Sequence, residues 1–233
     1  MRLKQQVQKA TGITFRLLIV ISLLLIILFV FGLISDEIVL EKESSFDTYI
    51  FNKLSFLTSP FTTRLMVFIT FFGSNMFLRP AYILLTAYFL FLARNTRVSL
   101  NIAAIGLSGA WVLNLVKDIF RRVRPSDPLI PNVTGFSFPS GHAFSSFTFF
   151  GLLIYILWES EKIKKIWKYV LSILFFLFAS CIAFSRAYLR VHYPSDVIAG
   201  FCLSVLWLSI SLWILSKIKY NVSIKYRKNN REE

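Results

Sequence analysis

The chain holds two histidines, and both stand where an imidazole could do chemistry. His192 lies four residues before Asp196, with Pro194 between them, in a polar stretch wedged between two long apolar runs. If Pro194 opens a helix, His192 is left on the preceding loop. The carboxylate can then hold one ring nitrogen while the other acts as nucleophile or base. Asp196 could instead form an interfacial salt bridge with Arg186 or Arg190. His142 ends the run Phe138-Pro139-Ser140-Gly141-His142, just before an apolar segment. Ser140 is placed to cap that segment's helix, whose first free N–H groups, beside Gly141, make a ready anion site.

Cations complete the set. Lys117 and Arg124 are seven residues apart, so a helix through both would set them on one face, about 10.5 Å apart along its axis. Pro125 would end that helix near Arg124, and Arg121 and Arg122 flank the pair. Such a run could equally complement a helix C-terminal dipole or anchor to lipid headgroups. Arg186 adds a planar fork suited to phosphate oxygens. The parts are three fixed cations, one helix N-terminus, two histidines and one orienting carboxylate, without a carboxylate cluster to hold a divalent metal. That combination suits a phosphate. Phosphoryl transfer needs charge stabilisation, an in-line nucleophile and an acid for the leaving oxygen. Two histidines in opposite protonation states could supply the last two, and predict a bell-shaped pH profile.

The elements that must position these groups are membrane helices. A chain of 233 residues that is 56% apolar, with mean hydropathy +0.64, has too little polar surface for a soluble globule of this size. The expected fold is all-α and polytopic, a single domain over 1–233 with residues 99–218 carrying the catalytic core. Six spans are predicted: Phe15 to Ile34, Ala81 to Ala93 opened by Pro80, Leu100 to Val116, Ala143 to Trp158, Tyr169 to Phe184 and Val197 to Leu215. Phe61 to Phe72 is too short to cross upright and is broken by Gly73-Ser74-Asn75, which argues for an extra interfacial or re-entrant helix. The acidic stretch 36–60 should lie outside the bilayer. Six ionisable groups, Lys117, Arg124, His142, Arg186, His192 and Asp196, fall beside these spans, where a mid-bilayer charge costs roughly 2.5–3.5 kcal/mol. Such residues are functional candidates.

The net charge of +14 sits in short blocks at the ends of apolar runs, which fits topology signals and not a nucleic-acid groove. Six spans place both termini on one side, with Arg94, Arg97, Lys162, Lys164, Lys165 and Lys168. By the positive-inside rule that side is cytoplasmic, and the three motifs face outward. Cys181 and Cys202 fit neither a metal site nor a redox pair and are expected as packing residues. Asn132-Val133-Thr134 matches a glycosylation acceptor on the outer side.

In order, the motifs read Lys117-x6-Arg124-Pro125, Pro139-Ser140-Gly141-His142 and Ser185-Arg186-x5-His192-x3-Asp196. This resembles the three-part signature of the type-2 phosphatidic acid phosphatase and vanadium haloperoxidase superfamily. The one oddity nearby is Arg190, where the family commonly has a small residue. The resemblance implies a helical-bundle phosphatase core and a reaction without metal or other cofactor. His192 would attack phosphorus, Asp196 would orient it, and His142 would protonate the leaving oxygen and then activate water. Lys117, Arg124 and Arg186 would clamp the phosphate, assisted by Ser140 and the Gly141 N–H. Substrates would be lipid phosphates or diphosphates such as undecaprenyl diphosphate, phosphatidylglycerol phosphate or phosphatidic acid, with no obligate protein partner evident. A haloperoxidase has no use for six helices in lipid. A non-catalytic lipid-phosphate binder or transporter would need the cations but not both histidines and Asp196.

Overall fold

The computed structural model describes residue 18 and residues 20–36, 44–131 and 133–229, and among these the chain is helical without strands. The basic start from Met1 to Ala10, the opening of the expected first span, the acids Glu37, Glu41 and Glu43, Asn132 of the acceptor triplet, and Arg231 lie outside the described residues. Helix α1 runs Val20–Asp36. It is followed by α2 Ser45–Ser55, α3 Pro60–Phe71, α4 Asn75–Ala87 with a π turn at Tyr88–Leu92, α5 Thr96–Phe120, α6 Gly141–Glu159, α7 Lys165–Tyr188 and α8 Pro194–Asn229. Five stretches are long and apolar enough to cross a membrane: Pro60–Leu92, Thr96–Phe120, Gly141–Glu159, Lys165–Tyr188 and Pro194–Lys217; α1 is a shorter apolar helix. The chain is an all-α, multi-pass membrane protein.

Local chemistry accounts for where the helices begin. Ser59 and Thr62 form a reciprocal capping box with Pro60 in the first turn of α3, satisfying N–H groups that no helix end can satisfy alone. Asn95 accepts from the Val98 N–H at the start of α5. Pro80 was expected in a first helical turn; instead it lies inside α4, because the helix already begins after Ser74. The proline there leaves one i→i−4 bond unmade.

The stretch Pro60–Leu92 is not one rod. Phe72–Ser74 interrupts it, and α3 packs obliquely over the last turns of α7, its Phe72 ring reaching Phe178 at 5.3 Å. Thr62 and Thr70, about 12 Å apart on α3, meet Tyr188 and Arg186, two residues apart on α7. The expected extra helix at residues 61–72 is therefore a separate element laid over the end of a spanning helix.

Helix α6 is the hub. It is apolar on nearly every side, as a helix with other helices or lipid all round it must be. Its Phe149 and Phe150 pack with Leu78 of α4 and with Ala179 and Ile182 of α7. Its Leu152 packs with Ile102 and Ile105 of α5. Cys202 is buried, as expected of a packing residue, whereas Cys181 is exposed. The end of α5, the start of α6, the end of α7 and the start of α8 gather at one end of the bundle, and α2 and α3 are laid against that same end.

Candidate active site

Helix α5 stops at Phe120, and Arg121 turns the chain into the left-handed region with φ +46°. Lys117 is therefore on the last helical turn and Arg124 on the loop beyond it, so the shared helical face expected of them does not exist. The loop restores their proximity. Lys117 Nζ donates to the carbonyl of Phe136 at 2.7 Å, and Arg124 Nη2 reaches the same oxygen at 3.3 Å.

His192 sits on the loop between α7 and α8 and is 2% exposed. The loop is fixed by its own backbone, since the N–H groups of Val191 and His192 both donate to the Arg186 carbonyl. Arg124 Nη1 donates to the Val191 carbonyl at 2.6 Å and stands 3.1 Å from His192 Nε2. On the other side of the ring, Nδ1 is 3.7 Å from Asp196 Oδ2, longer than a hydrogen bond. Ser137 fills that gap. Its Oγ is 3.4 Å from Nδ1, and its hydroxyl donates to Asp196 Oδ2. Burial pushes the His192 imidazole down to about 3, with the nearby Asp196 opposing the shift. The ring is neutral at pH 7, with Nε2 on the side of Arg124.

Asp196 is fully buried and held on both oxygens. Oδ2 accepts the Tyr193 N–H at 2.9 Å as well as the Ser137 hydroxyl. Oδ1 pairs with Arg122 Nη1 at 2.7 Å, so its ion-pair partner is neither Arg186 nor Arg190. Arg122 also binds Asp47 through Nη2 at 2.8 Å and lies over the Tyr193 ring, 3.9 Å from its centroid. Burial works against the Arg122 charge, but the two carboxylates hold its guanidinium above the ordinary range. Removing one partner of such a buried pair costs about 3–5 kcal/mol, so Arg122 belongs to the fold and not to a ligand clamp.

The remaining groups come from α6 and α7. Ser140 is buried; its Oγ accepts the Ala143 N–H at 3.5 Å, and its own N–H donates to the Asp196 carbonyl at 3.0 Å. Gly141 and His142 occupy the first turn of α6. Gly73, at the break between α3 and α4, lies against this turn. A Cβ there would stand 2.4 Å from Ile182 Cγ2, 2.8 Å from Ser146 Oγ and 3.1 Å from His142 Cδ2, so only glycine fits. Arg186 Nη1 donates to Thr70 Oγ1 at 2.8 Å. Among the described residues, none of Lys117, Arg124 and Arg186 has a carboxylate within ion-pair distance, yet the charges of all three reach His142. Arg190 is directed elsewhere; it has φ +52°, a conformation that favours glycine, and stacks over Phe51 at 5.8 Å.

All eight residues singled out from the sequence thus gather at one end of the bundle. Asp47, Thr70, Ser137 and Ser195, and the structural role of Arg122, were not foreseen. Of these Ser137 and Ser195 carry a local signal, Ser137 standing two residues before Pro139 of the central motif and Ser195 beside Asp196 in the last one. A family model described as the PAP2 superfamily matches residues 97–220. The chain is 28% identical to phosphatidylglycerophosphatase B of Bacillus subtilis, over 82% of this chain and 95% of that protein. It is 28% identical to an undecaprenyl-diphosphatase of Sulfolobus acidocaldarius, over 72% and 78%. The fold superposes with a TM-score of 0.73 and 26% identity on the crystal structure of a transmembrane PAP2-type phosphatidylglycerolphosphate phosphatase from Bacillus subtilis, covering 85% of this chain and 96% of that one.

Proposed function

The chain belongs to the PAP2 superfamily and is a membrane lipid phosphatase, and from that premise we propose that it hydrolyses lipid phosphates or diphosphates through a phosphohistidine on His192. The observation that carries this reading is the meeting of three cations, without carboxylate partners among the described residues, around two histidines, with His192 neutral and its Nε2 on the side of the cations. Lys117, Arg124 and Arg186 clamp the phosphoryl oxygens, with Ser140 and the Gly141 N–H at the start of α6 adding donors. Nε2 of His192 attacks phosphorus as the bond to the leaving oxygen breaks, and protonated His142 gives that oxygen its proton. Neutral His142 then takes a proton from water, which attacks the phosphohistidine, returning phosphate and free His192. Asp196 and Ser137 hold the Nδ1 side of the ring so that Nε2 keeps its lone pair.

The site is proposed to face the extracytoplasmic side, with both termini cytoplasmic. The support is charge: Arg94, Arg97, Lys162, Lys164, Lys165 and Lys168 flank the opposite ends of α5, α6 and α7, where the positive-inside rule puts the cytoplasm. Residues 99–218 form the proposed catalytic core. The proposed substrates are undecaprenyl diphosphate, phosphatidylglycerol phosphate and phosphatidic acid, amphiphiles that a site at a bilayer edge can receive.

The test is phosphate release by detergent-purified protein on these three lipids and on a soluble phosphomonoester, with a chelator present. Release from the lipids is expected to survive chelation, and vanadate is expected to inhibit by filling the phosphate clamp. Loss of activity on chelation would refute the metal-free mechanism. A folded protein that releases nothing from any of them would be a lipid-phosphate binder or transporter.

The pH profile gives a second check. His192 keeps its neutral form above about pH 3, far below the ordinary value of about 6.5, so lowering the pH from 8 to 5 does not protonate the nucleophile. The acid limb of the bell foreseen from sequence therefore moves out of that range. kcat, which does not carry the second ionisation of the free phosphomonoester as kcat/KM does, is expected to show no acid limb between pH 5 and 7; one centred near 6 would return His192 to an ordinary imidazole.

A further inference from the structure

Resting on the phosphatase reading, we propose that Asp47 of α2 is a positioning residue for catalysis, acting through Arg122 and Ser195 to hold Asp196 behind His192. Asp47 is 0% exposed, and both its oxygens are engaged across the fold. Oδ1 accepts the Ser195 N–H at 2.8 Å. Oδ2 accepts the Ser195 hydroxyl at 2.7 Å and Arg122 Nη2 at 2.8 Å. Arg122 Nη1 continues to Ser195 Oγ at 2.8 Å and to Asp196 Oδ1 at 2.7 Å.

Two consequences follow from this wiring. Ser195 is the second residue of α8, and its N–H is one of the donors that a helix start leaves unsatisfied. Asp47 thus caps, from α2, the turn that carries Asp196. The second concerns the carboxylate itself. Tyr193 N–H and Ser137 fix Oδ2, but the plane of the group is defined only when Oδ1 is fixed as well. Arg122 does this, clamped between two buried carboxylates that leave its guanidinium no other orientation. Docking of α2 alone would not need a charge: Phe51 and Leu54 already bury its apolar face, and well-packed apolar residues in place of a whole buried ion pair are often as stable.

The experiment uses the purified full-length chain and the lipid phosphate that the wild type hydrolyses fastest. Asp47→Asn keeps the shape but turns an amide NH₂ toward donors that need acceptors. kcat is expected to fall roughly 10- to 100-fold through misplacement of the reacting groups, with KM and vanadate inhibition essentially unchanged. Ser44→Ala serves as the structural comparison. It removes the cap that receives the Asp47 N–H and loosens α2 without touching the carboxylate, so it should lower the melting midpoint and leave kcat intact. Combining Asp47→Asn with Arg122→Gln should cost no more than the worse single change, since residues acting in series are not additive.

An Asp47→Asn enzyme with wild-type kcat, or a loss of kcat that Ser44→Ala reproduces, would overturn the proposal. So would full additivity in the double variant. In those cases the active wild type would leave the phosphatase reading standing; a wild type inactive on every lipid would remove both.

Discussion

With His192 replaced by alanine, phosphate release is expected to fall by roughly 10⁴-fold or more, because loss of a covalent nucleophile removes the whole two-step route and not one increment of it. The protein should still fold. The lost ring is neutral and makes no short hydrogen bond to Asp196, whose own ties to Arg122, Ser137 and the Tyr193 N–H remain. Binding should also persist, since Lys117, Arg124 and Arg186 are untouched, so vanadate or an unreactive lipid phosphonate should still be retained. The measurement is single-turnover trapping of labelled phosphate on the protein. Wild type should give an acid-labile, base-stable phosphoenzyme, and His192→Ala none. Substantial turnover by that variant would take the nucleophile's role from His192.

His142→Ala should be nearly as damaging, but in a way that depends on the substrate. A general acid or base contributes about 10²- to 10⁴-fold, and its value in the first step is greatest when the departing oxygen is a poor leaving group. A lipid alkoxide needs a proton; a nitrophenolate does not. The ratio of wild-type to His142→Ala rates should therefore be largest for phosphatidic acid and smallest for an aryl phosphate, where phosphoenzyme should form quickly and then accumulate, because water still lacks its base. Equal losses on both substrates, without accumulation, would point to a structural role at the start of α6. The contact of His142 Cδ2 with the Gly73 region makes that comparison worth controlling with His142→Gln, which fills more of the space without titrating near neutrality.

The chemistry was legible in the sequence because it is written locally. A cap at Ser140, a histidine one residue into the helix and a proline opening α8 are all short-range devices, and each stands where its spacing implied. The length and apolarity of the runs were enough for the helical membrane fold. What could not be read was tertiary. Nothing within a window around Asp47 distinguishes it from the other acids of the 36–60 stretch, and its partners lie 75 and 148 residues away. Arg122 read as one more cation in a basic run because only the fold supplies its two carboxylates. Arg124 was misplaced onto a helix because the left-handed turn at Arg121 uses a residue that does not advertise it. Thr70 lies in an apolar stretch where no local pattern marks its hydroxyl as a partner for Arg186, 116 residues away.

Gly200 lies where α8 passes the first turn of α6. A Cβ at this position would stand 2.7 Å from the Ser140 carbonyl oxygen and 3.2 Å from the Phe144 nitrogen, both main-chain atoms, and the Ser140 N–H already reaches the Asp196 carbonyl. The two helix starts are thus seamed backbone to backbone, and the span between acid and nucleophile is a main-chain dimension. Side chains that face lipid can change without altering it. A lineage built this way can exchange one amphiphile for another by repainting its outer walls while the reacting geometry is inherited intact.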